Sequence, residues 1–240
     1  MKYPFLLLLI FALSGCSTAP DADDTYTVGY HGALKNMMHK GDISAQANLA
    51  DFRDEAHLYA LGAVENLKGE ILILDGEPYI TSAEGQNLTL DHSFDHKATL
   101  LVYASVNEWT SHSIPKEVST YEDLESHIEK VAKENGINTD EPFPFLINGM
   151  AETADWHVIN WKDGDTEHSH EKHIKSGAYG TLSNQEVEIL GFYSRSHHAI
   201  FTHHTTNMHL HVRATDNSTL GHLDGLALSP GMTLKLPTVK

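Results

Sequence analysis

Thiols and arginine are both scarce in this 240-residue sequence. Cys16 is the single cysteine, which excludes an intramolecular disulfide framework. Arginine occurs at Arg53, Arg195 and Arg213 alone, and 16 Lys and Arg stand against 33 Asp and Glu, a formal charge of −17 with histidine neutral. Nucleic-acid backbones are held by neutralising Lys and Arg contacts, so this balance excludes nucleic acid as a partner; no local basic patch offsets it. One long apolar run is present, Phe5 to Ala12, and it is too short for a membrane-spanning helix. Internal repeats and long low-complexity stretches are missing too, which leaves one compact unit after the amino terminus. The remaining composition, 40% hydrophobic and 20% charged, fits a folded globular body rather than a disordered chain. Histidine is in excess: 18 imidazoles point to metal binding or proton transfer.

Lys2 and the apolar run have the size of an export signal, and Leu13-Ser14-Gly15-Cys16 resembles the lipobox of bacterial lipoproteins. The resemblance implies removal of residues 1–15 and acylation of Cys16, leaving no thiol for a cysteine nucleophile. Ser17 is compatible with sorting to an outer membrane, and several acyl chains make a firm anchor. The expectation is an exported protein on the periplasmic side of the cell envelope. Its partner there is the lipid bilayer, reached through Cys16 and a polar tether ending at residue 24.

In the body, Ala33 to Lys40 is expected as a helix stopped by Gly41, and Ser44 to about Glu55 as a second with Ser44 as N-cap. Thr120 caps a third, in which Tyr121, Leu124, Ile128 and Val131 recur at helical spacing before Gly136. Extended segments are expected at 58–64, 70–74, 77–82, 98–106, 143–150, 156–161, 187–193, 208–214 and 223–228, with Asp75-Gly76 as a hairpin turn. The sum is an α+β fold dominated by sheets. A proline-flanked break at Glu141 to Pro144 divides an N-lobe of about 25–140 from a C-lobe of about 141–240.

Met208-His209-Leu210-His211-Val212-Arg213 alternates, so on a strand His209 and His211 project from one face, about 6.5–7 Å apart along the chain. His222, eleven residues on and past the turn-like Asp216-Asn217-Ser218, can return on the neighbouring strand. Three imidazoles with positions left open are the pattern of a catalytic zinc site rather than a structural one. A cupin-type site also uses His-x-His but needs a glutamate three or four residues later, where Ala214 and Thr215 stand. His168, His170 and His173 read as a solvated loop or a second, weaker metal site.

The stretch Gly191-Phe192-Tyr193 through Asn207-Met208-His209-Leu210-His211-Val212 to Gly221-His222-Leu223-Asp224 resembles the metal-binding segment of α-acetolactate decarboxylases. The segment from Tyr30 to Asp42, then Leu61-Gly62, Leu67-Lys68-Gly69-Glu70-Ile71 and Leu74-Asp75-Gly76-Glu77-Pro78-Tyr79, is similar to that family's N-terminal part. By resemblance the fold is two packed β-sheet lobes with few helices and Zn2+ between them. His209, His211 and His222 become the metal ligands and Glu70 the catalytic carboxyl. The implied reaction takes 2-acetolactate, or a related 2-hydroxy-3-oxo acid, to acetoin and carbon dioxide, and a homodimer is compatible with it. Loss of carbon dioxide beside a ketone leaves negative charge that a Lewis acid stabilises, and a carboxyl group must manage the proton.

This sequence departs from the family at three points. The region Gly149 to Trp161 lacks the arginine that holds the substrate carboxylate, leaving His157, Asn160 and Lys162 as substrate-binding candidates, none of which reproduces a bidentate clamp. A C-terminal glutamate beyond the last metal histidine has no counterpart, and Lys68 stands where the family has aspartate. Two rival readings follow: a zinc-binding lipoprotein of the same fold without decarboxylase activity, and another metal-assisted lyase or hydrolase.

Overall fold

The computed structural model describes residues 26–239; the signal, Cys16 and the tether lie outside them. The first of two sheets holds β1 (Gly29–His31), β2 (Ala47–Asn48), β3 (Leu58–Val64), β4 (Glu70–Leu74), β5 (Glu77–Glu84), β6 (Asn87–Asp91) and β7 (Lys97–Ser105). Their order is β1-β7-β3-β4-β5-β6, with β2 also on β7. The second holds β8 (Trp109–Ser113), β9 (Phe143–Val158), β10 (Ala178–Tyr193), β11 (Met208–Ala214), β12 (Leu220–Leu228) and β13 (Thr233–Pro237). Its order is β10-β11-β12-β9-β13-β8, and β10 also pairs with β9, so four strands close a ring. Each of these pairings is antiparallel. The α+β class and the two sheets agree with the sequence reading.

Alternation along the strands builds three apolar layers. On β4 every residue is buried, with Ile71 and Ile73 in a core outside the first sheet and Leu72 and Leu74 in the core between the sheets. Leu146, Leu190, Phe192 and Leu220 meet them from the second sheet. Each such side chain, fully buried, contributes about 1.5–3 kcal/mol. Met208, Leu210, Val212 and Leu223 face the other way, into a third core. That core is covered by α2 (Tyr121–Glu134) through Leu124, Ile128 and Val131, and the Thr120 side chain caps the helix by accepting from the Asp123 N–H at 3.1 Å. The odd positions of β11 and the even position Glu70 of β4 therefore point into the space between the sheets.

Several expected elements differ. The helix α1 (Leu34–Lys40) ends at a left-handed Gly41 as expected, but the helix from Ser44 does not form. The Ser44 hydroxyl donates back to Asp42 at 2.6 Å, residues 47–48 join the sheet edge as β2, and a single 3-10 turn, Leu49–Phe52, follows. The two segments 143–150 and 156–161 are one 16-residue strand, β9. Part of the expected histidine loop is a short helix, α3 (His170–Lys175), capped by Ser169. The chain passes from one sheet to the other between Ser105 and Trp109, so the break near residue 141 is not where the sheets divide.

Candidate metal centre between the sheets

Strand register sets the imidazoles side by side. His211 on β11 is paired with His222 on β12, and His222 with His157 on β9. His209 stands two residues along β11 on the same face. Ring centroids lie 4.9 Å apart for His157 and His222, 5.1 Å for His209 and His222, 5.2 Å for His209 and His211, and 5.5 Å for His211 and His222. Gly221 permits this closeness: a Cβ there would lie 2.3 Å from the His157 carbonyl oxygen. Gly221→Ala is expected to force β12 away from β9 and cost about 1–3 kcal/mol in urea unfolding, with zinc affinity falling in parallel by chelator competition.

Asp224 orients two of the rings. Its Oδ2 accepts from His157 Nδ1 at 2.7 Å and its Oδ1 from His222 Nδ1 at 3.1 Å. An ionised carboxylate only accepts, so both Nδ1 atoms carry a proton, and in the neutral form of either ring Nε2 is the atom with the lone pair. Burial would raise the Asp224 pKa, but the two imidazole hydrogen bonds outweigh it and hold the carboxyl well below the usual range. Burial likewise opposes charge on His222, and the bond to Asp224 and the charges of Asp224 and Glu70 overcome it and raise its pKa.

Glu70 reaches this row from the opposite sheet and is 3% exposed. Its Oε1 accepts from the Ile159 N–H at 3.1 Å. Its Oε2 lies 3.6 Å from His211 Nε2, and Oε1 lies 3.9 Å from His157 Nε2, separations too long for hydrogen bonds. Burial pushes the Glu70 pKa up to about 8, against smaller opposing effects of His222 and the Ile159 N–H.

The donor set fits a divalent ion that prefers nitrogen ligands. Among the described residues, both ring nitrogens of His211 and the Nδ1 of His209 are buried without a partner at full hydrogen-bond geometry; the backbone of Phe201 acts on His209 and that of Ile71 on His211 as acceptors. Buried polar atoms are normally satisfied, and an orphaned imidazole nitrogen is a ligand atom in waiting. Burial holds the pKa of His209 and His211 well below the ordinary histidine value, so both are neutral at pH 7 and able to ligate. Among the described residues, the group whose ligand atoms lie within 4.8 Å of one another is His157, His222 and Asp224. Because Asp224 already accepts from both imidazoles, it acts on this geometry as the group that orients ligands.

The sequence pattern of the alpha-acetolactate decarboxylase family matches residues 30–239. The chain belongs to this family. Among solved structures, the α-acetolactate decarboxylase of Bacillus subtilis strain 168 is similar at 15% identity over 88% of this chain and 85% of that one, with a TM-score of 0.71. The acetolactate decarboxylase of Bacillus subtilis subspecies spizizenii is similar at 15% identity over 89% and 86%, with a TM-score of 0.72. A Staphylococcus aureus protein of unknown function, similar to α-acetolactate decarboxylase, matches at 12% identity over 88% and 85%, with a TM-score of 0.67. No curated protein matches the sequence. At these identities the likeness is one of fold.

Set within the acetolactate decarboxylase fold, the residues singled out in the sequence separate clearly. Glu70, His209, His211 and His222 come together, and His157 joins them. Asn160 and Lys162 do not: they line a separate cavity of about 450 Å3 with Asp165 and Lys172, and the Asn160 amide donates to the Ala83 carbonyl at 2.9 Å. Each arginine is paired with another carboxylate, Arg53 with Asp95 at 2.7 Å, Arg195 with Glu129 at 3.5 Å and Arg213 with Glu188 at 2.8 Å; Arg213 shares the face of His211 on β11, with its guanidinium over the Tyr79 ring. Lys68 donates to the Trp161 carbonyl at 2.6 Å and pairs with Asp163 at 2.7 Å, tying the two sheets together just before Glu70. His168 stacks on Trp161 with centroids 4.4 Å apart and shares a 2.9 Å contact with His173, so that pair packs half-buried against Trp161. A cavity of about 740 Å3 opens against β1, β2 and β7, lined by His31, Gln46, Asp51, Phe52 and Tyr103; it contains none of the site residues. Asp224 was missed as an orienting group, although its place two residues after His222 was the available signal.

Proposed function

We propose that the protein is a metal-dependent carboxy-lyase that converts 2-acetolactate, or a related 2-hydroxy-3-oxo acid, to acetoin or its analogue and carbon dioxide. The observation that carries this reading is Glu70, a buried carboxyl able to hold a proton near neutral pH and set 3.6 Å from His211 Nε2 and 3.9 Å from His157 Nε2. His209, His211 and His222 would hold the ion, zinc being the divalent cation suited to three imidazoles. When bound, the ion supplies a Lewis acid that stabilises negative charge on the substrate oxygens as carbon dioxide departs.

The chain's own groups do the rest. Protonated Glu70 delivers its proton to the carbon that has lost carbon dioxide and becomes a carboxylate, which solvent reprotonates. The Ile159 N–H fixes Oε1, so Oε2 is the oxygen turned toward His211. The apolar layer of Leu72, Leu190, Phe192 and Leu220 limits water around it. Export and anchoring through an acylated Cys16 belong to the same proposal and rest on residues 13–16.

A second reading draws on the three arginines, each paired with a carboxylate other than Glu70: the fold and metal site are kept while the substrate has changed or turnover is lost. Acetoin release from racemic 2-acetolactate by the zinc-loaded protein decides between the two. Turnover that disappears in His209→Ala and Glu70→Gln supports the decarboxylase. Tight zinc binding with no acetoin above the uncatalysed rate overturns it in favour of the second reading.

A further inference from the structure

We infer that His157 is a fourth imidazole ligand, binding the same ion as His209, His211 and His222. The inference rests on the metal-site reading above and concerns what completes the ligand set. His157 and His222 are cross-strand partners, and Asp224 treats them alike, one carboxylate oxygen accepting the Nδ1 proton of each. The carboxylate that prepares His222 to ligate through Nε2 therefore prepares His157 in the same way.

What His157 Nε2 faces points in the same direction. The atom is a lone pair, and among the described residues nothing donates to it. Its polar neighbour is Glu70 Oε1 at 3.9 Å, itself an acceptor when ionised. His211 Nε2, buried and unpartnered, faces Oε2 of the same carboxyl at 3.6 Å. The two Nε2 atoms therefore face one carboxyl, each at a different oxygen, and converge on one place between the sheets. The alternative duty for His157, donating to a substrate carboxylate in place of an arginine, needs a proton on Nε2 in addition to the one given to Asp224.

The test uses cobalt(II) as the probe in the purified full-length protein, with zinc affinity measured by chelator competition. His157→Gln is expected to weaken zinc binding by more than the roughly 10–100-fold typical of losing an orienting group, and to change the visible cobalt spectrum. His157→Cys, which restores a ligand of another kind, should recover most of the affinity and add a thiolate-to-cobalt charge-transfer band. Circular dichroism of both variants confirms that they fold; if His157→Gln does not, the His157→Cys band decides alone. A His157→Gln protein with wild-type affinity and an unchanged spectrum overturns the inference, as does a raised KM for acetolactate with cobalt binding intact, which would place His157 on the substrate. Failure of the wild-type protein to bind cobalt or zinc at all overturns the metal-site reading itself.

Discussion

Glu70→Gln is expected to lower kcat for acetolactate decarboxylation by about 100- to 10,000-fold while the protein still folds and binds zinc. The substitution keeps the shape of the side chain, and the glutamine carbonyl can still accept from the Ile159 N–H as Glu70 Oε1 does. What it removes is the transferable proton. Stability gives a second readout in the metal-free protein. Burial raises the Glu70 pKa from 4.5 to about 8, so between those values the folded chain binds more protons than the unfolded one. The stabilisation is fully present below pH 4.5 and is lost as the pH rises through about 8, at no more than about 1.4 kcal/mol per pH unit. Melting temperatures measured across this window should fall with pH in the wild type and fall less in Glu70→Gln. Equal slopes would show that Glu70 does not titrate as its burial demands.

Asp224→Ala is the second large effect expected. It takes the acceptor from two imidazoles at once, and each buried donor left unpaired costs about 1–3 kcal/mol. Freed rings lose their fixed orientation, which typically weakens metal binding about 10–100-fold. Asp224→Asn separates the two losses. Its amide offers one acceptor and one donor, so one imidazole must shift its proton from Nδ1 to Nε2 and can no longer ligate through Nε2. Urea unfolding should therefore show a smaller loss for Asn than for Ala, while chelator competition shows zinc affinity reduced in both. Zinc affinity unchanged in both variants would mean that Asp224 orients neither ring toward the metal.

The histidines of β11 were legible because a strand has period two: His209 and His211 had to share a face, and apolar Met208, Leu210 and Val212 fixed which face was buried in the other core. His222 followed from a turn of suitable length, and its pairing with His211 is the register that turn implies. His157 was harder, because its direction depends on β9 running unbroken to Val158, whereas the sequence suggested two shorter strands. The edge elements were missed for another reason. Asn87–Asp91 and Trp109–Ser113 expose alternate or successive polar residues, and sequence pattern alone does not tell such strands from loops. The false helix after Ser44 shows the limit of capping signals: a serine that could start a helix instead closes a turn on Asp42, and the backbone beyond it is taken by the sheet, with the Gln46 N–H donating to the Ala98 carbonyl at 2.7 Å.

The hydrogen bond from the Ile159 amide to Glu70 Oε1 has a use beyond holding the carboxyl in place. An amide proton's magnetic resonance frequency follows the charge on the oxygen that accepts it, so this peptide group is a native indicator wired to the buried carboxyl. A single backbone resonance, from the buried Ile159, then reports when Glu70 gains or gives up its proton. Substrate analogues and metals can be ranked by how far they move that signal, without turnover and without an engineered label.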